Sequence, residues 1–302
     1  MNSTRKAYGE FLVSIGDNKD VVVLDADLAE ATKTNMFMKV HPERHIDVGI
    51  AEADLVGTAT GLALSGKTVF ASTFAMFLAG RAYEQVRNTA AYSHANVNLC
   101  ATHAGVMVGE DGPTHQCIED VALMSVIPTM TVLSPADDIS TKKILSECLK
   151  HDGPKYVRLG RSDVDDIYNK DSIFKIGGSN TFGDGTDGTV FAYGPTVSIA
   201  LKAKEMLKEK GINIRVVDLY SIKTVDRDAI IKSAKETDKL VSIEDHSVIG
   251  GIGSIISNVL TEEYPKRLEK IGINDTFGKS GNWKKVYEYF GLTPDNIVSR
   301  FE

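Results

Sequence analysis

The sequence predicts an α/β protein made of two parallel-sheet domains, and three observations carry that prediction. Short Val/Ile-rich runs alternate with helix-period segments along the whole chain, the pattern of parallel strands joined by crossover helices. Residues 162–188, "SDVDDIYNKDSIFKIGGSNTFGDGTDG", break that pattern with Asp, Gly, Ser and Asn, as a linker does. The 302 residues are enough for two cores of ordinary size.

The first array holds strands "VVVLDADL" (21–28), "KTVFAST" (67–73), "NVNLCATH" (96–103), "PTMTVLS" (128–134) and "KYVRLG" (155–160). Each run is short, rich in β-branched residues and bounded by turn residues. A further strand ends in "HIDVGI", and 51–64, 76–92 and 136–150 read as helices between strands. The second array has strands "TVFAYG" (189–194), "INIRVVDL" (212–219), "KLVSIED" (239–245) and "LEKIGIN" (268–274), with helices over 196–210, 226–237, 252–263 and 282–290. The expected division is a first domain over 1–165, a linker over 166–188 and a second domain over 189–302.

Composition narrows the function classes. A formal net charge of -7 supplies no basic field for nucleic acid or anionic lipid, so an anionic ligand would have to be met by local cations. Cys100, Cys117 and Cys148 form no C-x-x-C pair, which indicates neither a zinc site nor a disulfide framework. The start "MNSTRKAYGEFL" lacks the apolar stretch of a signal peptide, and Glu52 and Asp54 interrupt the most apolar region. The expected location is the cytoplasm, with no membrane contact.

Polar surplus at strand ends marks the candidate site. "GEDGPTHQ" (109–116) follows an apolar, strand-like run, and its Gly112-Pro113 turn requires neither Asp111 nor His115. With His103 it places two histidines and an acid after one strand, where parallel sheets bind ligands. Glu52 opens a helix rich in small residues and reads either as an ordinary first-turn acid or as a functional carboxyl. Phe74 and Phe77 share a face if their segment is helical, either as core or as the wall of a ring pocket. Arg158 and Arg161 stand at another strand end, where a guanidinium could clamp phosphate. Arg5 reads more simply as a solvated basic residue. "GDG" at 183–185 with Asn213 imitates a diphosphate-binding motif, but it precedes a strand instead of following one and is rejected.

Taken together, "STRKAYGEFL", "HPERHIDVGIAEADLV", "STFAMF", "NLCATHAGVMVGEDGPTHQCIEDVALM", "VLSPAD", "INIRVVDLYSIKTVDRDAI" and "EDHSVIGGIGS" resemble the C-terminal half of the thiamine diphosphate-dependent transketolases over nearly the whole chain. The resemblance implies a pyrimidine-binding domain followed by a transketolase C-terminal domain, that is, one subunit of a split enzyme. Thiamine diphosphate is then the cofactor. Mg2+ is bound mainly through an N-terminal partner subunit that carries the diphosphate domain, this chain holds no metal ligand of its own, and two copies of each chain form a heterotetramer.

By resemblance Glu52 hydrogen-bonds the aminopyrimidine ring, Phe74 and Phe77 wall it, and His103 and His115 serve in catalysis. His103, Asp111 and His115 contact the sugar, while Arg5 and Arg161 hold its phosphate. Arg158 does not match. Gly80 stands where many members of the family have a third aromatic residue, with Arg81 or Tyr83 as compensating groups, and "ATKTNMF" (31–37) matches no donor-loop pattern. The implied activity moves a two-carbon ketol unit from a ketose phosphate to an aldose phosphate. A deoxyxylulose phosphate synthase-like half, a 2-oxo acid dehydrogenase β subunit and a catalytically silent subunit stay open as alternatives.

Overall fold

A computed structural model describes residues 2–302. The first sheet contains β2 (Val21–Asp25), β3 (His45–Asp47), β4 (Thr68–Phe74), β5 (Val97–Thr102), β6 (Thr131–Leu133) and β7 (Lys155–Arg158), preceded by a two-residue strand β1 (Asn2–Ser3). Its order is β3-β2-β4-β5-β7-β6 and every pairing is parallel. Strands β2, β5 and β7 are buried at every residue, because helices cover both faces of a parallel sheet. The order reverses between β2 and β4, which opens a crevice at the carboxyl ends of those strands.

The two-residue strand β8 (Asp163–Val164) pairs antiparallel with β1. The second sheet runs β13-β12-β10-β11-β9, from β9 (Asn180–Phe182), β10 (Gly188–Ala192), β11 (Ile214–Asp218), β12 (Lys239–Ser247) and β13 (Leu268–Ile273). Four of its strands are parallel and β9 is antiparallel to β11. Residues 180–182, inside the segment read as linker, thus supply the edge strand of the second sheet. Tyr168 and Phe174 of the same segment are buried against its core. Ser134 N donates to Tyr220 O at 2.9 Å and Ile222 N to Val132 O at 2.9 Å, so the edge strand β6 seats directly on the second domain.

Two stretches differ from the sequence reading. Residues 76–92, expected as one α-helix, contain π-helices Phe77–Arg81 and Val86–Ala91 around a short α-turn, Tyr83–Gln85. Ala82 N reaches back to Phe77 O at 3.1 Å, the five-residue step of a π-bulge, which often marks functional sites. The apolar run before "GEDGPTHQ" is no strand: Val106–Asp111 is a 3-10 segment kinked at Gly109, whose φ is +79°. An unexpected N-terminal helix covers Thr4–Ser14 and buries Ala7, Tyr8, Phe11 and Leu12.

Candidate active site

Most of the candidates sit where a strand of the first sheet ends. After β3 the chain turns into the helix Glu52–Leu64, which places Glu52 on its first turn with 2% exposure. A carboxylate there gains from the helix N-terminal dipole, but burial that deep requires a partner. Arg81 provides it: Nη1 donates to Glu52 Oε2 at 2.9 Å, with the Arg81 side chain still 56% exposed. The same guanidinium lies 5.2 Å over the Phe77 ring, an attractive cation–aromatic contact. Arg81 therefore meets the charge of Glu52 from the solvent side, while a Cβ on the neighbouring exposed Gly80 would come within 2.5 Å of Met76 Cε.

Phe74 is the last residue of β4, and Phe77 opens the π-helix after the strand-to-helix corner. They do not share a helix face; the corner stacks them, with centroids 5.6 Å apart and planes inclined by 16°. His103 also stacks on Phe74, at 3.8 Å, and His115 meets Phe77 edge-on at 5.4 Å. Four rings, one at the end of β4 and three from the segments that follow β4 and β5, thus form one continuous wall. Thr102 Oγ1 lies 2.9 Å from His103 Nδ1, and Arg5 Nη1 lies 3.5 Å from His103 Nε2.

Burial first, then the charges of Arg5 and Arg161, lowers His103 from its ordinary 6.5 to about 3. The imidazole is neutral at physiological pH. Because a guanidinium only donates, the Nε2 facing Arg5 carries the lone pair and Nδ1 carries the proton toward Thr102. His103 then has a single acceptor, Nε2, which a hydroxyl can take in place of the 3.5 Å Arg5 contact.

Arg5 is anchored by donating to Ala31 O at 2.9 Å, and burial together with Arg161 lowers its pKa. Arg161 Nη1 donates to Val108 O and lies 3.6 Å from Asp111 Oδ2 and 3.5 Å from Glu110 Oε2. The structure thus brings Arg5, His103 and Arg161 into one electrostatic group, with Lys33 and His115 contributing to the same field. That is a local cationic site in a chain of net charge -7, suited to an anionic group. Lys33 escaped the sequence reading. Its segment shows no periodicity, and its left-handed backbone, φ +72°, has no signature in a lysine.

Arg158 is not part of this site. Its Nε donates to Asp120 Oδ2 at 2.9 Å and its Nη2 to Asp245 O at 2.8 Å, all buried. Side chains alternate along a strand, so Arg158 faces the domain junction while Arg161, beyond the strand, reaches the site. The "GDG" turn is likewise closed: a Cβ on Gly185 would come within 2.2 Å of Asn213 O, and Arg215 Nε donates to Gly185 O at 2.9 Å.

Two family descriptions match the chain: "Transketolase, pyrimidine binding domain" over residues 1–166 and "Transketolase, C-terminal domain" over residues 177–297. The chain belongs to the transketolase family. It is 45% identical over 300 residues to a "Putative transketolase C-terminal section" of Methanocaldococcus jannaschii, covering 98% of this chain and 94% of that protein. It is 38% identical over 299 residues to a subunit of the apulose-4-phosphate transketolase of Phocaeicola vulgatus, covering 98% and 96% respectively. A solved structure described as "Split gene transketolase, inactive beta4 tetramer" superposes with a TM-score of 0.93 at 46% identity, over 100% of this chain and 97% of that one. Among the described residues, no helix of this transketolase-family chain is long and apolar enough to cross a membrane.

Proposed function

We propose that this chain is the C-terminal subunit of a split, thiamine diphosphate-dependent transketolase that transfers a two-carbon ketol unit between sugar phosphates. The observation that carries the reading is the junction of a buried acid and an aromatic wall with a cationic end: Glu52, then Phe74, Phe77, His103 and His115, then Arg5 and Arg161. Its likeness to proteins described as a C-terminal section and as one subunit of a transketolase supports the split form. The division into a first domain over 1–165 and a second over 189–302 belongs to the same proposal, with the connecting segment 166–188 lending its residues 180–182 to the second sheet.

The residues present fit the pyrimidine end of the cofactor. A carboxyl group 2% exposed, linked through Arg81 to a stacked phenylalanine pair, suits a flat heteroaromatic ring that needs one charged or proton-sharing contact and otherwise apolar walls. Thiamine diphosphate, when bound, supplies the carbon nucleophile and electron sink for cleaving a ketose between C2 and C3. Glu52 shares a proton with the cofactor ring, in a place where solvent cannot compete for it. Phe74 and Phe77 keep water off that ring. His103, neutral, accepts a substrate hydroxyl at Nε2, Asp111 reads another hydroxyl, and His115 joins Arg5 and Arg161 at the anionic tail.

Mg2+ and the cofactor diphosphate belong to an N-terminal partner subunit, in a heterotetramer with two copies of each chain. The test is cofactor affinity. The chain alone should hold thiamine diphosphate weakly, and addition of the partner with Mg2+ should tighten it. Tight Mg2+-dependent binding by the chain alone would contradict the split assignment.

A further inference from the structure

We infer that Asp245 of the second domain is a positioning residue that shapes the loop carrying Asp111 and His115. This inference rests on the transketolase reading for its kinetic consequence, but its geometry stands independently. The Asp245 carboxyl group is 1% exposed at the junction of the two domains. Its Oδ1 accepts from Val106 N at 2.8 Å, and its Oδ2 accepts from Tyr287 Oη at 2.8 Å. Its own carbonyl accepts from Arg158 Nη2 at 2.8 Å, and Arg158 is in turn locked to Asp120. Both carboxyl oxygens are committed, one to each side of the junction.

The loop is moulded on that surface at each of its glycines. Gly105, Gly109 and Gly112 all have φ in the left-handed region, at +71°, +79° and +77°, which L side chains rarely adopt. A Cβ on Gly105 would come within 2.1 Å of Asp245 Oδ2, one on Gly109 within 3.1 Å of Gly281 O, and one on Gly112 within 3.1 Å of the Ser280 Cβ. Ser280 Oγ donates to Glu110 O at 2.6 Å, and Gln116 Nε2 donates to Lys279 O at 2.8 Å. The bends that present Asp111 and His115 are thus the points at which the second domain touches the loop. Asp245 sits where that contact begins, on the first amide after the Gly105 turn. The second domain then sets substrate geometry without touching substrate.

The experiment compares Asp245→Ala and Asp245→Asn in the full chain. Amide hydrogen exchange over 105–112 is read first, then the KM, kcat and thiamine diphosphate affinity of the assembled enzyme. Asp245→Ala should speed exchange in the loop and raise KM for the sugar phosphate by about fivefold, the factor one buried hydrogen bond carries. Cofactor affinity should fall by less than KM rises, because Glu52, Phe74 and Phe77 stand on other elements of the first domain and the loop reaches that wall through His115. Asp245→Asn, which keeps an acceptor for Val106, should restore most of both readouts.

Unchanged loop exchange in Asp245→Ala would overturn the inference, as would a lower melting temperature with wild-type KM. If the alanine variant does not fold, Tyr287→Phe combined with Ser280→Ala removes two contacts of the same junction and is judged by the same readouts. If the wild-type mixture shows no ketol transfer, the transketolase reading fails, and loop exchange alone decides the positioning role.

Discussion

Replacing His103 by asparagine should remove a specific acid-side weakness of the fold. His103 is buried, stacked on Phe74 and close to two arginines, and protonating it there opposes both desolvation and like charge. Its folded-state pKa of about 3 lies below the ordinary 6.5. The stability tied to the neutral ring is therefore fully present above about pH 6.5 and is lost as pH falls toward about 3. At pH 5 the wild type should have lost about 2 kcal/mol through this group, at about 1.36 kcal/mol per pH unit. The asparagine side chain cannot titrate, so the variant should lack that loss, whatever constant cost the missing ring adds.

Urea unfolding of both proteins at pH 8 and pH 5 isolates the difference, since every other titrating group is shared. Ring resonances followed by NMR give the direct check, with the His103 signals unmoved between pH 5 and pH 8. Parallel stability profiles, or an imidazole midpoint near 6.5, would refute the electrostatic account of the site.

Glu52→Gln should keep the fold and lower kcat by roughly 10^2- to 10^4-fold, the usual worth of a positioned proton-sharing group. Its melting temperature should move little, since the half-exposed pair with Arg81 is worth about 1 kcal/mol or less; turnover assays and a melting scan check the two halves. Arg161→Ala should raise KM for phosphorylated sugars far more than for unphosphorylated ones, and equal effects on both would remove Arg161 from the anion site. Arg158→Met should cost about 3–5 kcal/mol in denaturant unfolding, because it leaves the Asp120 carboxylate buried without its cation, and a loss below about 1 kcal/mol would show that the Tyr156 hydroxyl, which donates to Asp120 Oδ2 at 2.9 Å, satisfies it without Arg158.

Much of the site was legible because its chemistry is concentrated at strand ends. Val/Ile-rich runs located the strands, and polarity beyond what a turn needs singled out Asp111 and His115. Glu52 is harder: a first-turn acid and a functional carboxyl look identical in sequence, and what the structure adds is its deep burial against Arg81, whose guanidinium also covers the Phe77 ring. Other features depended on tertiary contact. The N-terminal helix contains Gly9, a poor helix former, and a Cβ there would come within 2.7 Å of Lys33 O, so close packing overrides propensity.

The π-bulge at Phe77–Arg81 replaces the 3.6-residue period on which the helical reading of 76–92 rests, while Phe74 and Phe77 share no helix face because Phe74 is still the last residue of β4. Arg158 and Arg161 read alike as strand-end cations, but Arg158 is the last residue of β7 and is held in the domain junction by Asp120 and the Asp245 carbonyl, while Arg161 lies beyond the strand. Asp245 lies in "EDHS", a segment that carried the family resemblance without a role. Its task follows only from the loop that packs on it.

Ketol transfer from xylulose 5-phosphate to ribose 5-phosphate, with thiamine diphosphate and Mg2+, decides whether this chain is half of a split transketolase. The chain is assayed alone and mixed with an N-terminal subunit that carries the diphosphate domain. Transfer is expected in the mixture and none from the chain alone. Transfer by the chain alone would contradict the split-enzyme assignment, and none in a mixture shown to have assembled would contradict transfer between these two sugar phosphates and point to another sugar phosphate, another thiamine chemistry or a silent subunit.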